Sequence, residues 1–526
     1  METLNKIYEH GVEVIDPDLK TTQTVRGLLL LCTVDLQAKA ILANHKQYNG
    51  GFGCNSCEDE GKIIKGAHRV WPYDGPTVLR THDKYEDYLD EVVRTGEPHK
   101  GVKGASILYL HQPFDMGQSL PSDWMHGCLL GVEPTMLELW VGPKHSKKDF
   151  YIGDKIVWMS KQLLNIKVPD TISRAPRSLM DRHHMKASER RAMLLHFEPA
   201  ILREVLPAKY YAHYLLLHSA IATLVSDNIS TDQMDKAEQK LDVFCKTFEG
   251  LYGESPQTMN IHLLRHLVLH VRLFGPLWAF SCFGFESVNG EIKRLVHGTK
   301  FVVEQITCTL AMESNLQRVV RTMTPERESP RVVRLARRLC VLEKRRNMTE
   351  LGPGIHRLGI LNSFPRVLDL GEDIKKAIQE RTGEEDAGNY GVFYRVSLRG
   401  QRIHSRGYSR ERARNNRTIE YKARNGSVRY GEVLLFCAVN GEDLAVLAVL
   451  EPVDSPLISV DKVSNPDVKR ALTLEMESFV VEVAETDICT AIPINDIHRK
   501  CVLMEISTKK HQRTYIGRFP NISEHN

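Results

Sequence analysis

Nowhere does the 526-residue chain reach about 18 consecutive apolar residues, which excludes a conventional membrane-spanning helix. The longest early apolar run, "GLLLLCTV", has the length of a strand. Cysteine is scarce and odd in number, 11 in all, and outside Cys54 and Cys57 it is scattered. That excludes a disulfide-built scaffold. The opening "METLNKIYEH" has no leader character and reads as a polar helix, so a reducing compartment, cytosol or nucleus, is expected. Strong charge of one sign is missing as well: the net charge is +4 and the isoelectric point about 8.4, which permits a nucleic-acid partner without requiring one. No internal repeat is visible. What is present is ordinary globular composition, 42% apolar and 26% charged, in a length that suits two to four domains.

Along the chain, residues 1–57 read as helix, loop, buried strand, helix and a glycine-rich turn. The strand "LLLLCTV" (28–34) ends at Asp35, and the helix "LQAKAILANHKQ" follows. Residues 58–120 are polar and broken by Gly, Pro and His. From there to about 320 the apolar spacing is helical, as in "YYAHYLLLHSAIATLV" and "TDQMDKAEQKLDVFCKTFEGLYG". Residues 321–384 read as a basic connector, with "RVVRLARRLCVLEKRR" at 331–346. Beyond it, "SVRYGEVLLFCAVNG" and "LAVLAVLEP" are β runs punctuated by N-G turns, so 385–526 is expected to be a separate β-rich domain, a small barrel.

Five groups of residues carry candidate chemistry. Cys54 and Cys57 form C-x-x-C in "GFGCNSCEDEG", half of a tetrahedral zinc site. The complementary half is "NIHLLRHLVLH", where His262 and His266 stand at i, i+4 on one helix face, with His270 competing one step further on. Buried thiols and ordinary helix histidines are the alternative. Asp35, between a strand and a helix, suits either a hard metal ligand or a helix N-cap. Glu286, in "FSCFGFESVNGEIKR", and Glu291 one turn later suit either metal binding or the helix dipole. In "SDWMHGCLLGV", Asp123 and His126 at i, i+3 read as a helix cap or as a further metal-binding pair. The segment "ISRAPRSLMDRHHMKASERR" is a solvated basic face or a phosphate contact.

Taken in order, "VDLQAKAILANHKQYNGGFGCNSC", "DWMHGCLLGV", "ISRAPRSLMDRHHMKASERRAMLLH", "NIHLLRHL" and "GPLWAFSCFGFESVNGEIKR" resemble the blocks of CACTA (EnSpm) type DNA transposon transposases in their animal form, over about residues 5–320. The resemblance implies an α+β or α/β chain: a partial RNase H-like core with a large helical insertion, followed by the β-rich tail. The core would comprise 1–57 and 261–320, the insertion 58–260. It implies Asp35 and Glu286 as catalytic carboxylates binding Mg²⁺ or Mn²⁺, and Cys54, Cys57, His262 and His266 as ligands of a structural Zn²⁺. It implies DNA, the transposon ends, as partner, with a homo-oligomer as a further expectation, a nuclear location and no membrane. Arg331, Arg334, Arg337, Arg338, Arg345 and Arg346 are the DNA-contact candidates.

Within such a fold the first catalytic Asp lies on a strand followed by a hairpin. Asp35 is followed by a helix and then the zinc cysteines, the context of the second Asp. The preceding 34 residues are too few for three strands, a helix and the first Asp, since strands and turns alone need about 25–30 residues. Asp16 and Asp18 stand too close to Asp35 for that role. The expectation is therefore an N-terminally truncated, catalytically incomplete transposase that retains DNA binding. Two rivals stand beside it: a zinc-stapled protein- or chromatin-interaction scaffold, and an active nuclease using Asp35, Asp123 and Glu286.

Overall fold

The computed structural model describes residues 1–15, 21–64, 68–323, 327–339, 348–359, 361–363, 371–383, 390–408 and 413–522. It is a mixed α+β chain: helices dominate up to residue 339, and antiparallel strands dominate from Met348 onward. Among the described residues no helix is long and apolar enough to cross a membrane.

The helical body is built around Ala208–Leu224, which buries side chains on every face. Its sequence is apolar all round, the mark of a central rather than a surface helix. Thr231–Tyr252 packs beside it and starts at a capping box, with Ser230 accepting from the Gln233 amide and the Gln233 side chain returning to Ser230. Trp124, Trp140, Tyr214, Phe244 and Phe248 are fully enclosed in this core.

The C-terminal sheet closes into a six-stranded antiparallel barrel. Thr418–Lys422 pairs with Val428–Val439, which pairs with Glu442–Pro452 and so on to Val480–Pro493. Gln512–Arg518 follows, then Ile497–Ser507, which returns to Thr418–Lys422. Closure removes the free edges that an open sheet exposes. The N-G turn at Asn440–Gly441 has both residues at positive φ, 50° and 83°, the backbone that joins two twisted strands most tightly. Ile419, Val433, Phe436, Leu447 and Ile497 form one buried cluster with Val396, Leu398 and Ile403, Phe393 stacks on Phe436 at 5.5 Å, and Tyr430, Leu450, Val483, Cys501 and Ile516 form another across the barrel strands.

The barrel does not hang from a linker. Val480, Val502, Met504, Ile506 and Tyr515 belong to the same buried cluster as the helices. Arg203 Nη1 meets Glu482 Oε2 at 2.5 Å, Trp158 donates to the Ser507 carbonyl at 3.0 Å, and Asn521 donates to the Val225 carbonyl at 2.7 Å.

Three expectations need correction. The run 28–34 forms no ladder: it pairs with no described strand, and Leu28 and Leu30 are exposed. It is tied down by single bonds, the Leu29 amide to His111 Nε2 at 3.2 Å and the Cys32 amide to the Ser119 carbonyl at 3.0 Å. Correspondingly, no RNase H-like sheet is found among the described residues; up to residue 339 only two two-stranded ribbons occur, Val12–Ile15 with Thr22–Val25 and Lys62–Ile64 with His68–Val70. The third correction concerns 321–384, which is not a bare connector. It holds helices at Pro330–Leu339 and Glu372–Thr382, and strands Met348–Gly352 and Ile355–Leu358 that join Arg395–Leu398 and Gln401–His404 in a four-stranded sheet.

Candidate metal centre

Cys54, Cys57, His262 and His266 converge, all four buried, with their donor atoms within 4.8 Å of one another. Cys57 Sγ lies 3.2 Å from His262 Nε2, and His262 Nε2 lies 3.2 Å from His266 Nε2. Zinc bonds of about 2.0–2.3 Å at tetrahedral angles separate neighbouring donors by roughly 3.3–3.7 Å. The donor cage is therefore close to the size of one zinc ion.

Local structure explains the convergence. The cysteine turn is tight: a Cβ on Gly53 would fall 2.3 Å from the Gln47 carbonyl oxygen. Arg80 clamps the turn from behind, its Nε donating to the carbonyls of Cys54 at 3.0 Å and Cys57 at 2.8 Å, and its Nη2 to that of Lys100 at 2.7 Å. The histidines occupy the helical run formed by Met259–Leu263, Leu264–His266 and Leu267–Phe274. The Trp71 amide donates to the Gln257 carbonyl at 2.8 Å and so ties the cysteine side to the start of that run. Behind His262, Asp59 Oδ2 stands 3.8 Å from Nδ1 and 3.5 Å from Arg265 Nη1. A carboxylate in that place orients a ligating imidazole.

The electrostatics favour a cation. Burial would raise the Cys54 thiol, but the hydrogen-bonded Cys57 and the facing imidazoles hold it well below the ordinary thiol range. Its bond to Cys54, together with burial, pushes Cys57 up. Burial lowers His266 and keeps it neutral. A thiolate at Cys54 and a neutral imidazole at His266 are the forms in which these two donors bind zinc, and Cys57 would give up its proton on binding. The residues present thus fit the ion, and this buried group could hold zinc. His270, the competing histidine, is not among the converging donors: its Nδ1 accepts from the Ser122 amide at 3.2 Å, and burial drives its pKa well down.

A second cluster lies nearby. Met125–Val132 is a π-helical turn, a geometry common at functional sites, and Asp123 caps its start. Asp123 accepts from the amides of Met125 at 3.2 Å, His126 at 3.0 Å and Cys282 at 3.0 Å. Its Oδ2 is also 2.6 Å from His126 Nδ1, and His126 Nε2 is 3.3 Å from Glu286 Oε1. His126 is raised by the Asp123 hydrogen bond despite partial burial, with Glu286 and Asp35 adding to it. Asp123 is pushed up by burial but pulled net below its usual range by His126 and the amides. Cys282 joins Asp123 and His126 in one group able to hold a metal ion.

Asp35 acts as the helix cap the sequence allowed, accepting from the Ala38 amide at 2.7 Å, and it also bears electrostatically on His126 and Cys282. Glu286 lies in the first turn of Phe283–Arg294 with an open side chain, and Glu291 is exposed beside Arg294. The structure therefore gathers Asp35, Asp123, His126 and Glu286 in one neighbourhood.

Of the basic candidates, Arg331, Arg334 and Arg338 are exposed on Pro330–Leu339, whereas Arg337 is half-buried and donates to the Met323 carbonyl at 3.1 Å. Arg345, Arg346, Asp16 and Asp18 lie outside the described residues. Sequence reasoning missed Arg80, Asp59, Cys282 and Lys39. Lys39 is buried, donates to the carbonyls of Leu120 at 3.1 Å and Pro121 at 2.8 Å, and is lowered by burial to about 8. It locks the helix after Asp35 to the loop before Asp123, and nothing in the local sequence marks it. No protein-family model matches the chain, and no curated protein matches it in sequence.

Proposed function

We propose that this chain is a transposase-derived DNA-binding protein, similar to CACTA-type transposases, whose helical body is held by a structural zinc. One observation carries the reading. Four blocks that lie in the order of that family's motifs, and are separated by up to about 250 residues, meet in space: the two cysteines and two histidines in one donor cage, and Asp35 and Glu286 around His126. The finer proposal, that this region corresponds to part of an RNase H-like core, rests on the same blocks.

The DNA surface is assigned to the exposed arginines of Pro330–Leu339 and to a cleft of roughly 740 Å³ whose lining includes Lys144, His145, Lys148, Arg182 and His183. Such a surface reads phosphates, so binding to transposon-end or other duplex DNA in the nucleus is strong at low salt and weakens steeply as salt rises. Fluorescence anisotropy with a labelled duplex tests this. Replacing Arg331, Arg334 and Arg338 together by Glu is expected to flatten the log K against log salt slope by about 0.9 for each phosphate no longer neutralised. Absence of duplex binding by the zinc-loaded protein at low salt rejects the proposal and leaves a zinc-stapled interaction scaffold.

A second reading is favoured by the meeting of Asp35, Asp123 and Glu286 around one histidine: a metal-dependent nuclease. It predicts Mn²⁺- or Mg²⁺-dependent nicking of duplex DNA that is lost in Asp35→Asn and Glu286→Gln. Nicking that survives both substitutions rejects it.

A further inference from the structure

The cleft of about 740 Å³ along the helix Glu133–Val141 has two unlike ends. Given the DNA-binding reading, on which this rests, we infer that the cleft takes a few unpaired nucleotides of a DNA strand, with phosphates at its cationic end and a base at the other.

The cationic end gathers Lys144, His145, Lys148, Arg182 and His183. The two carboxylates that line the cleft are already committed: Glu138 pairs with Arg182 at 3.0 Å, and Glu254 with Lys62 at 2.5 Å. Lys144, Lys148 and His183 form no ion pair among the described residues. Burial lowers the His145 imidazole, and Lys144 and Lys148 lower it further against the opposing pull of Glu138. Cations crowded around one ring without carboxylates of their own make a surface for phosphate.

The other end is apolar and carries an amide. Leu130 lines it at 43% exposure, together with Pro134. Asn260 packs against Gly131, where a Cβ would fall 2.4 Å from its Nδ2, and its amide makes no hydrogen bond among the described residues. An amide offers a donor and an acceptor side by side, which suits the edge of a base. Between the two ends run the nine residues of Glu133–Val141. At 1.5 Å per residue they span about 14 Å. That is the length of about four stacked nucleotides at 3.4 Å each. The volume falls within the range of small-ligand sites, about 300–1,000 Å³. A duplex, whose major groove alone is about 12 Å wide, lies across the rim of such a cleft, whereas an unpaired strand enters it.

The test uses zinc-loaded full-length protein and two labelled DNAs, a blunt duplex and the same duplex with a four-nucleotide overhang carrying one 4-thiothymidine. The overhang is expected to tighten binding at least fivefold in fluorescence anisotropy. Near-ultraviolet crosslinking should then place the thiothymidine on peptides within 130–148, 179–184 or 252–260. Leu130→Ala combined with Asn260→Ala should cut the advantage of the overhang to less than twofold. Equal affinity for the two DNAs overturns the inference and leaves the DNA-binding proposal standing. Crosslinks only outside those segments, or an advantage that survives in the double variant, overturn it too. If neither duplex binds, the DNA-binding proposal falls, and the thio-labelled tetranucleotide alone decides: its crosslinking in the cleft upholds the single-strand site, and its failure to bind sinks it.

Discussion

Glu198 is completely enclosed in the helical body beside Glu133, whose carboxylate is paired with Arg190 at 2.8 Å. Burial raises the Glu198 carboxyl well above its usual range, and the charge of Glu133 adds to the effect. The unfolded chain releases this proton near the ordinary carboxyl value, while the folded chain keeps it. The stability it contributes is therefore full below the unfolded pKa and is lost as pH rises through the folded one, at about 1.4 kcal/mol per pH unit. Glu198→Gln removes that dependence. Urea titrations at pH 5 and pH 8 should show the variant gaining on the wild type at the higher pH; the reverse ranking contradicts the assignment. Gly53 offers a second test at this scale. With a Cβ 2.3 Å from the Gln47 carbonyl oxygen, Gly53→Ala must shift the cysteine turn. The expected cost is roughly 1–3 kcal/mol, read as a lower midpoint in urea together with weaker zinc retention against a chelator.

Among the elements, the cysteine turn and the Met259–Phe274 helical run depend on each other. The run is anchored in the helical core through Ile261, Leu264, Leu267, Val268 and Val271, but the cysteine turn has no such core: the cluster where the two meet is Cys54, Cys57, Trp71, Met259 and Leu263, with Leu36 against it. An ion bridging them supplies cohesion that this small cluster lacks. Cys54→Ser, or exhaustive chelation, is expected to free the turn from the His run, with local loss of protection in hydrogen exchange at residues 50–60. Zinc stoichiometry should fall from one to zero. Unchanged exchange in that segment after zinc loss contradicts the staple. The two halves were legible in sequence because C-x-x-C and an i, i+4 histidine pair are each dictated by local geometry. Their supports were not. Arg80 and Asp59 act through the carbonyls and the imidazole they face, and those interactions follow from loop paths that no local pattern encodes. The run at 28–34 illustrates the converse. It is composed like a buried strand, yet it finds no described partner strand and stays half exposed, because a ladder requires a neighbour as well as a sequence.

On the scale of the whole molecule, the barrel and the helical body share one buried cluster through Val480, Val502, Met504, Ile506 and Tyr515. They should therefore unfold together. Met504→Ala, a truncation inside that shared core, is expected to cost about 2–5 kcal/mol and to lower a single calorimetric transition. Two transitions, with only the barrel's shifted, would show independent domains instead. The sequence alone determined that residues from about 120 to 320 are mostly helical, that 385–526 is a β-rich, barrel-like part with N-G turns, and that two half-sites for a metal exist. Each of these follows from short-range periodicity, turn chemistry and ligand spacing. Only the tertiary structure decided that the half-sites meet, that His270 stands outside the cage, and that Asp123 reaches Glu286 through His126. It also decided that the barrel is fused to the helices. Those outcomes depend on which surfaces exclude water together, a property of the packed chain that no local window of residues contains.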